Sequence, residues 1–328
     1  MNWGDTFSDE QIITARPPKN LVDIKRPYAF LVEPEHQANG NVEDVAVLFL
    51  TNRECPYRCL MCDLWKNTTD DPVPLGAIPE QIDFALRELP PARHLKLYNS
   101  GNFFDPSAIR VADYPAIAMR IKDFETVIVE NHPQMCGTRV PMFVDTLRAA
   151  GSTATLEVAM GLETVHPRVL PLLNKRLTID AFRRACDDLN SLGVATRAFV
   201  LLRPPTLTEE EGLEWAKRSA EFAFDCGVGT VTVIPTRPGN GIMERMQADG
   251  LYAPPSFASM EAILEAGLAM GRGRFFVDLW DAEQFANGVV DSRERIARLR
   301  EMNLTQQIVS AVVDKPMEKR LCLERPSR

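Results

Sequence analysis

Histidine is scarce in this 328-residue chain, with four in all, and no apolar run is long enough to cross a bilayer. A basic excess is missing too. The 37 lysines and arginines are outnumbered by 45 acids, for a net charge of -8, which argues against a stand-alone nucleic-acid binder. The Asp291–Arg328 stretch is locally basic, which reads as a solvated helix face and a terminus. No signal-peptide pattern is visible and the seven cysteines are odd in number, so the expected setting is a reducing cytoplasm rather than a disulfide framework. Low-complexity segments are absent, as are repeats beyond a strand–helix unit. With 45% hydrophobic and 25% charged residues, the chain can fill a full core.

Three of the cysteines stand together in Glu54-Cys-Pro-Tyr-Arg-Cys-Leu-Met-Cys-Asp63, as Cys55, Cys59 and Cys62 with C-x3-C-x2-C spacing. A closed structural zinc site wants four ligands, and no histidine or second cysteine pair lies nearby to complete one. Three clustered thiolates suit an iron–sulfur cube with one iron open to a non-protein ligand. Cys136, Cys186, Cys226 and Cys322 are scattered singly along the chain and offer no compact second ligand set. Cys186 and Cys226 fall at helical core positions, and Cys136 follows a strand end near the site.

Six apolar, β-branched runs alternate with helical patterns: Val45–Asn52, Leu95–Asn99, Thr126–Glu130, Ala154–Gly161, Ala195–Leu202 and Gly229–Pro235. Such alternation predicts parallel strands with crossover helices. A complete eight-unit barrel needs roughly 250 residues, so six units predict an α/β fold with an open, partial (β/α)6 barrel. The expected organisation is an extended, proline-punctuated N-terminal extension over 1–41, the barrel over 42–240, and a C-terminal helical extension over 241–328 that closes the open side. Phe182, Ala185, Cys186, Leu189 and Leu192 form a helical stripe after Thr178, and Thr208 with Glu211 forms a capping box.

Ligands of such folds lie at the carboxyl ends of the strands. The cysteine run follows the first predicted strand. The second runs into Tyr98-Asn-Ser-Gly-Asn102, where Gly101 permits close backbone approach and Asn99 and Ser100 offer hydrogen bonds. The third ends in Glu130, a possible acceptor for a cationic amine, followed by His132. In the fourth, period-two alternation sends Leu156, Val158, Met160 and Leu162 to the helices and Glu157 into the lumen. A lumen carboxylate needs a partner, either a polar ligand or a salt bridge with Arg197 on the next strand.

These residues resemble the radical S-adenosylmethionine (SAM) superfamily. The cysteine spacing, the small-residue turn after the second strand, and Gly161-Leu-Glu-Thr followed by Val169-Leu-x-x-Leu-Asn-Lys175 carry the resemblance over about 190 residues. Within it, Lys96 through Asp105, Leu201 through Glu209 and Gly250 through Pro255 resemble the branch of the Elongator catalytic subunit and the archaeosine-biosynthesis enzyme. His132 stands where that branch has arginine, Ile234 where an asparagine precedes the proline, and Met61 where an aromatic is commoner. The resemblance implies an enzyme in which Cys55, Cys59 and Cys62 hold a [4Fe–4S] cluster and SAM binds its open iron. Reductive cleavage of SAM would yield a 5′-deoxyadenosyl radical that abstracts a substrate hydrogen. It further implies SAM contacts from Ser100, Gly101, Glu130, Glu157, Arg197 and Pro235, and an electron donor such as flavodoxin or ferredoxin. The expected function is radical chemistry on a nucleoside or tRNA base; the alternatives are a radical SAM enzyme acting on a small metabolite and a non-catalytic metal-binding partner subunit.

Overall fold

The computed structural model describes residues 7–311, so Cys322 and the basic residues Lys315, Lys319, Arg320, Arg325 and Arg328 lie outside the described residues. The chain builds one eight-stranded sheet in sequence order: β1 (Ala29–His36), β2 (Val42–Phe49), β3 (His94–Tyr98), β4 (Thr126–Glu130), β5 (Thr155–Glu163), β6 (Ala195–Leu202), β7 (Thr230–Pro235) and β8 (Arg274–Val277). All neighbours are parallel except β1 and β2, which pair antiparallel. The sheet curls into the expected partial barrel.

The six expected strands are β2 to β7. Two further strands flank them. The lead-in read as an extension contributes β1, and Pro34 is tolerated there because an edge strand can spare a ladder donor. At the other edge the apolar run near Phe275 is a four-residue strand parallel to β7. The helix Ser292–Thr305 and the turn after it then cover that edge with side-chain amides. Asn303 accepts from the Val277 N–H at 3.1 Å and donates to its carbonyl at 2.8 Å. Gln306 does the same for Phe275, at 2.7 and 2.9 Å. His36 on β1 meets the Leu304 carbonyl through Nδ1 at 2.9 Å, so one helix ties both edges of the sheet.

Alternation sorts each strand into two faces. Leu48, Leu97, Val129, Val158, Val200 and Val233 point outward and pack under the helices in the main core. The helix Ile179–Ser191 buries Phe182, Ala185, Cys186 and Leu189 on that core, with Thr178 capping the Ala181 N–H; Leu192 is its C-cap and 37% exposed. Thr208 and Glu211 form the capping box of the helix Glu209–Asp225.

The lumen face is layered. Its floor is a lattice of buried ions: Arg197 Nε binds Glu157 Oε1 at 2.6 Å and its Nη2 binds Glu35 Oε1 at 2.7 Å. Lys96 bridges Glu33 and Glu35 at 2.7 and 2.5 Å, and Arg274 takes Glu157 Oε2 at 2.9 Å. Above it stand aromatics from separate strands, with ring centroids 6.0 Å apart for Phe49 and Tyr98 and 6.3 Å for Tyr98 and Phe199. Phe49, Tyr98 and Phe199 are half-buried while their outward neighbours Leu48, Leu97 and Ala198 are fully sealed, so the upper lumen is open to solvent. A barrel of this strand number is normally filled by side chains, so an open upper half is room for a ligand.

Candidate active site at the rim of the barrel

Cys55, Cys59 and Cys62 lie in the loop after β2, at the carboxyl end of the barrel, in a stretch with no regular ladder. Side-chain amides hold this loop. Asn52 donates to the Arg53 and Asn99 carbonyls at 2.9 Å, and Asn99 donates back to Asn52 Oδ1 at 2.8 Å. Asn102 donates to Cys55 Sγ at 3.2 Å while accepting the His132 N–H at 2.6 Å. Asn240 reaches the Leu60 and Cys62 carbonyls at 2.5 and 3.2 Å. Neutral amides satisfy the loop's orphan backbone groups without adding charge beside the thiols.

The segment after β5 braces the loop from another side. Leu173 accepts the Leu60 N–H at 2.8 Å, and Asn174 donates to the Arg58 carbonyl at 2.9 Å. Lys175 pairs with Glu163 at 2.6 Å, and this pair lies over Gly161, where a Cβ would sit 2.2 Å from Glu163 Oε1 and 2.4 Å from Lys175 Nζ. Glu163, Asn174 and Arg176 all take left-handed backbone conformations, at φ 66°, 49° and 57°. The Gly161-Leu-Glu and Leu-Asn-Lys175 motifs are thus two halves of one brace.

Burial pushes the Cys59 thiol up to about 12 and the Cys62 and Cys55 thiols upward as well, while the Lys175 ammonium pulls Cys59 and Cys55 the other way. Thiols this buried become thiolates when a cation binds them. A single tetrahedral zinc at ~2.3 Å from each sulfur would gather the sulfurs to about 3.8 Å of one another. They are not gathered so. Among the described residues, the one trio of potential ligands whose donor atoms lie within 4.8 Å of one another is Glu43, His94 and Glu125, at the opposite end of the barrel. That trio is already filled by Arg93, which binds both Glu43 and Glu125. Three protein thiols spread wider than one ion requires, with no fourth cysteine beside them among the described residues, fit a cube better than a lone metal.

The other expected site residues divide. Ser100, Gly101, Glu130 and Pro235 stand at the rim. Glu130 Oε1 accepts the Asn99 N–H at 2.5 Å and the Gly101 N–H at 3.2 Å, gripping the turn after β3. Burial raises Glu130 to about 7 against the lowering effect of the Asn99, Gly101 and Ser100 amides. Ser100 is left-handed at φ 52° and its Oγ meets the Tyr28 hydroxyl at 2.8 Å. Gly101 packs on the cysteine loop itself, where an added Cβ would lie 3.4 Å from Cys55 Cβ. Pro235 ends β7 and is buried.

Glu157 and Arg197 lie deeper, in the ion lattice of the floor. Both face the lumen, yet Glu157 lies two residues down its strand from Ala159, the partner of Glu130, and both its oxygens are taken by Arg197 and Arg274. Arg197 is itself shared between Glu157 and Glu35. Burial opposes ionisation of Glu157, but these guanidinium groups outweigh it and hold its carboxyl low.

His132 is held neutral, pushed down to about 3 by burial and then by Lys175. Its Nε2 meets the Lys175 carbonyl at 3.1 Å, its Nδ1 accepts the Gln134 N–H at 3.2 Å, and its ring stacks on Tyr57 at 3.9 Å. It therefore packs the cysteine loop. Cys136 sits in the main core. Cys186 and Cys226 are also core. Trp65 is buried and donates to the Cys62 carbonyl at 3.1 Å, whereas Trp280 is 56% exposed at the lumen mouth, 6.1 Å from Phe49.

Among the described residues no helix is long and apolar enough to cross a membrane. The Radical SAM superfamily model matches residues 50–219. An uncharacterized protein of Methanocaldococcus jannaschii is 19% identical over 75% of this chain and 71% of its own length. The archaeosine synthase subunit beta of Methanosarcina acetivorans is 25% identical over 64% of this chain; the chain spans 62% of that relative. In fold, the chain is similar to methylornithine synthase, with TM-score 0.51, 13% identity, and coverage of 98% of this chain and 90% of that one. With the family match extending over half of its length, the chain belongs to the radical SAM superfamily of enzymes, which use SAM and usually a [4Fe–4S] cluster.

Proposed function

We propose that Cys55, Cys59 and Cys62 ligate a [4Fe–4S] cluster, that SAM binds at its open iron, and that the enzyme starts radical chemistry on the base of a nucleoside or RNA. The observation that carries this is the braced triplet of thiols in the loop at the carboxyl end of an aromatic-walled lumen. When bound, the cluster supplies one electron for cleavage of SAM. Asn102 and Asn240 keep the loop in place, Lys175 offsets thiolate charge, and the ion lattice seals the floor against bulk water. Ser100, Gly101, Glu130 and Pro235 are the SAM contacts. Glu130 holds the Ser100–Gly101 turn in register for them.

A planar base suits the walls of Phe49, Tyr98 and Phe199, and the likeness to a protein named as an archaeosine synthase subunit supports this substrate class. The net charge of -8 leaves RNA binding to a partner subunit. Residues 42–240 form the catalytic barrel, with the described parts of 1–41 and 241–328 completing its edges. A cluster with an open iron and free thiols suits the cytoplasm, where flavodoxin or ferredoxin would deliver the electron. The test is anaerobic reconstitution with iron, sulfide, SAM and dithionite, assaying 5′-deoxyadenosine with RNA and small-molecule fractions of a cell extract added separately. Stimulation by RNA is expected. Stimulation by the small-molecule fraction alone replaces the base with a metabolite, and no cleavage at all overturns the enzyme reading.

A further inference from the structure

The segment from Asp9 to Asn20 precedes the barrel in sequence but lies against the outside of the cysteine loop. Its helix, Asp9–Ala15, is started by a capping box in which Ser8 Oγ accepts the Gln11 N–H and Gln11 accepts the Ser8 N–H. Ile12 on that helix is fully buried. It enters a second apolar cluster, separate from the main core, with Leu60 of the cysteine loop, Val169 and Leu173 of the brace, and Met243. Leu60 stands between Cys59 and Cys62, so this small core is built around the loop that carries the thiols.

Polar contacts continue on both flanks of the triplet. Before Cys55, Arg16 and Lys19 each bind Glu54 at 2.8 Å. After Cys62, Arg16 lies over the Trp65 ring at 4.6 Å and the Asn20 N–H donates to the Lys66 carbonyl at 2.8 Å. Asp9 accepts from Asn174 at 2.8 Å, and the same Asn174 amide group donates to the Arg58 carbonyl. The fit is close enough that Gly241 is needed beneath it, since a Cβ there would lie 1.8 Å from the Ala15 carbonyl oxygen.

We propose that residues 9–20 are a clasp whose contacts position the cysteine loop from outside the barrel and slow the loss of the cluster bound there. This rests on the cluster reading above. A loop held only by hydrogen bonds would open locally at little cost, whereas burying Ile12 against Leu60 couples each opening to exposure of apolar surface.

The test uses the full chain. In the protein without iron, hydrogen exchange of the amides of residues 54–67 is compared between wild type and Ile12→Asp. In reconstituted protein, iron transfer to a chelator is timed for wild type, Ile12→Asp, Ile12→Val and Asp9→Ala. Asp9 is partly exposed, so its truncation spares the fold should Ile12→Asp impair it. Expected are exchange and iron loss at least about ten-fold faster in Ile12→Asp, a smaller increase in Asp9→Ala, and near wild-type rates in Ile12→Val. Equal exchange in wild type and Ile12→Asp, with equal iron-loss rates in all four proteins, overturns the clasp alone. A wild type that holds no iron overturns both the clasp and the cluster reading.

Discussion

The floor and the rim of the same barrel are held by different chemistry. On the floor, Glu33, Glu35 and Glu157 are matched by Lys96, Arg197 and Arg274, three charges against three, contributed by strands. At the rim the loops are fixed by Asn52, Asn99, Asn102, Asn174 and Asn240, which carry no charge. Strands already have their backbone groups paired, so their side chains are free to form ions. Loops lack such pairing and need amides, which both donate and accept. Charge acting on Cys59 comes from the Lys175–Glu163 pair, whose ammonium lowers and whose carboxylate raises its thiol.

The sharpest break of this comparison is at the rim itself. Cys59→Ala should abolish iron binding altogether while leaving the thermal midpoint of the iron-free protein near wild type; iron retained at the wild-type level would remove Cys59 from the ligand set. Next is the floor. Arg197→Met leaves three floor acids against two cations, and a loss of about 3–5 kcal/mol in denaturant unfolding is expected with the iron content per folded chain unchanged. Iron lost in step with stability there would show that floor and rim are one unit.

Glu130 gives a pH signature. Its native value of about 7 exceeds the ordinary 4.5, so the folded state holds the proton more tightly than the unfolded one. Its contribution to stability is therefore full below the ordinary value, falls by at most about 3 kcal/mol as pH rises to the native value, and is flat beyond it. Unfolding curves of wild type and Glu130→Gln at several pH values measure this, and parallel profiles would remove Glu130 as the source. The smallest effect is expected of Asn102→Ala, about 1–2 kcal/mol from two lost hydrogen bonds, read by thermal unfolding of the iron-free protein.

Alternation made β2 to β7 legible, and with them the lumen placement of Glu157 and its pairing with Arg197. The second partner, Arg274, was hidden because β8 is four residues long and carries too little pattern to be read as a strand. β1 was obscured by Pro34 within a run of alternating acids, a pattern that suits only an edge. The thiol spacing could be read directly, since the three cysteines lie within eight residues. The amide braces could not. Asn102, Asn174 and Asn240 have no spacing rule, and their partners are set by where distant loops converge.

Iron content measured together with SAM cleavage tests the account most directly. Anaerobically reconstituted protein should hold about four irons per chain, show broad absorbance near 400 nm that bleaches with dithionite, and release 5′-deoxyadenosine from SAM, all of it lost together in Cys55→Ala, Cys59→Ala or Cys62→Ala. Colourless protein holding zinc, or about eight irons with half retained in a triplet variant, would contradict the single open cluster on which the account rests.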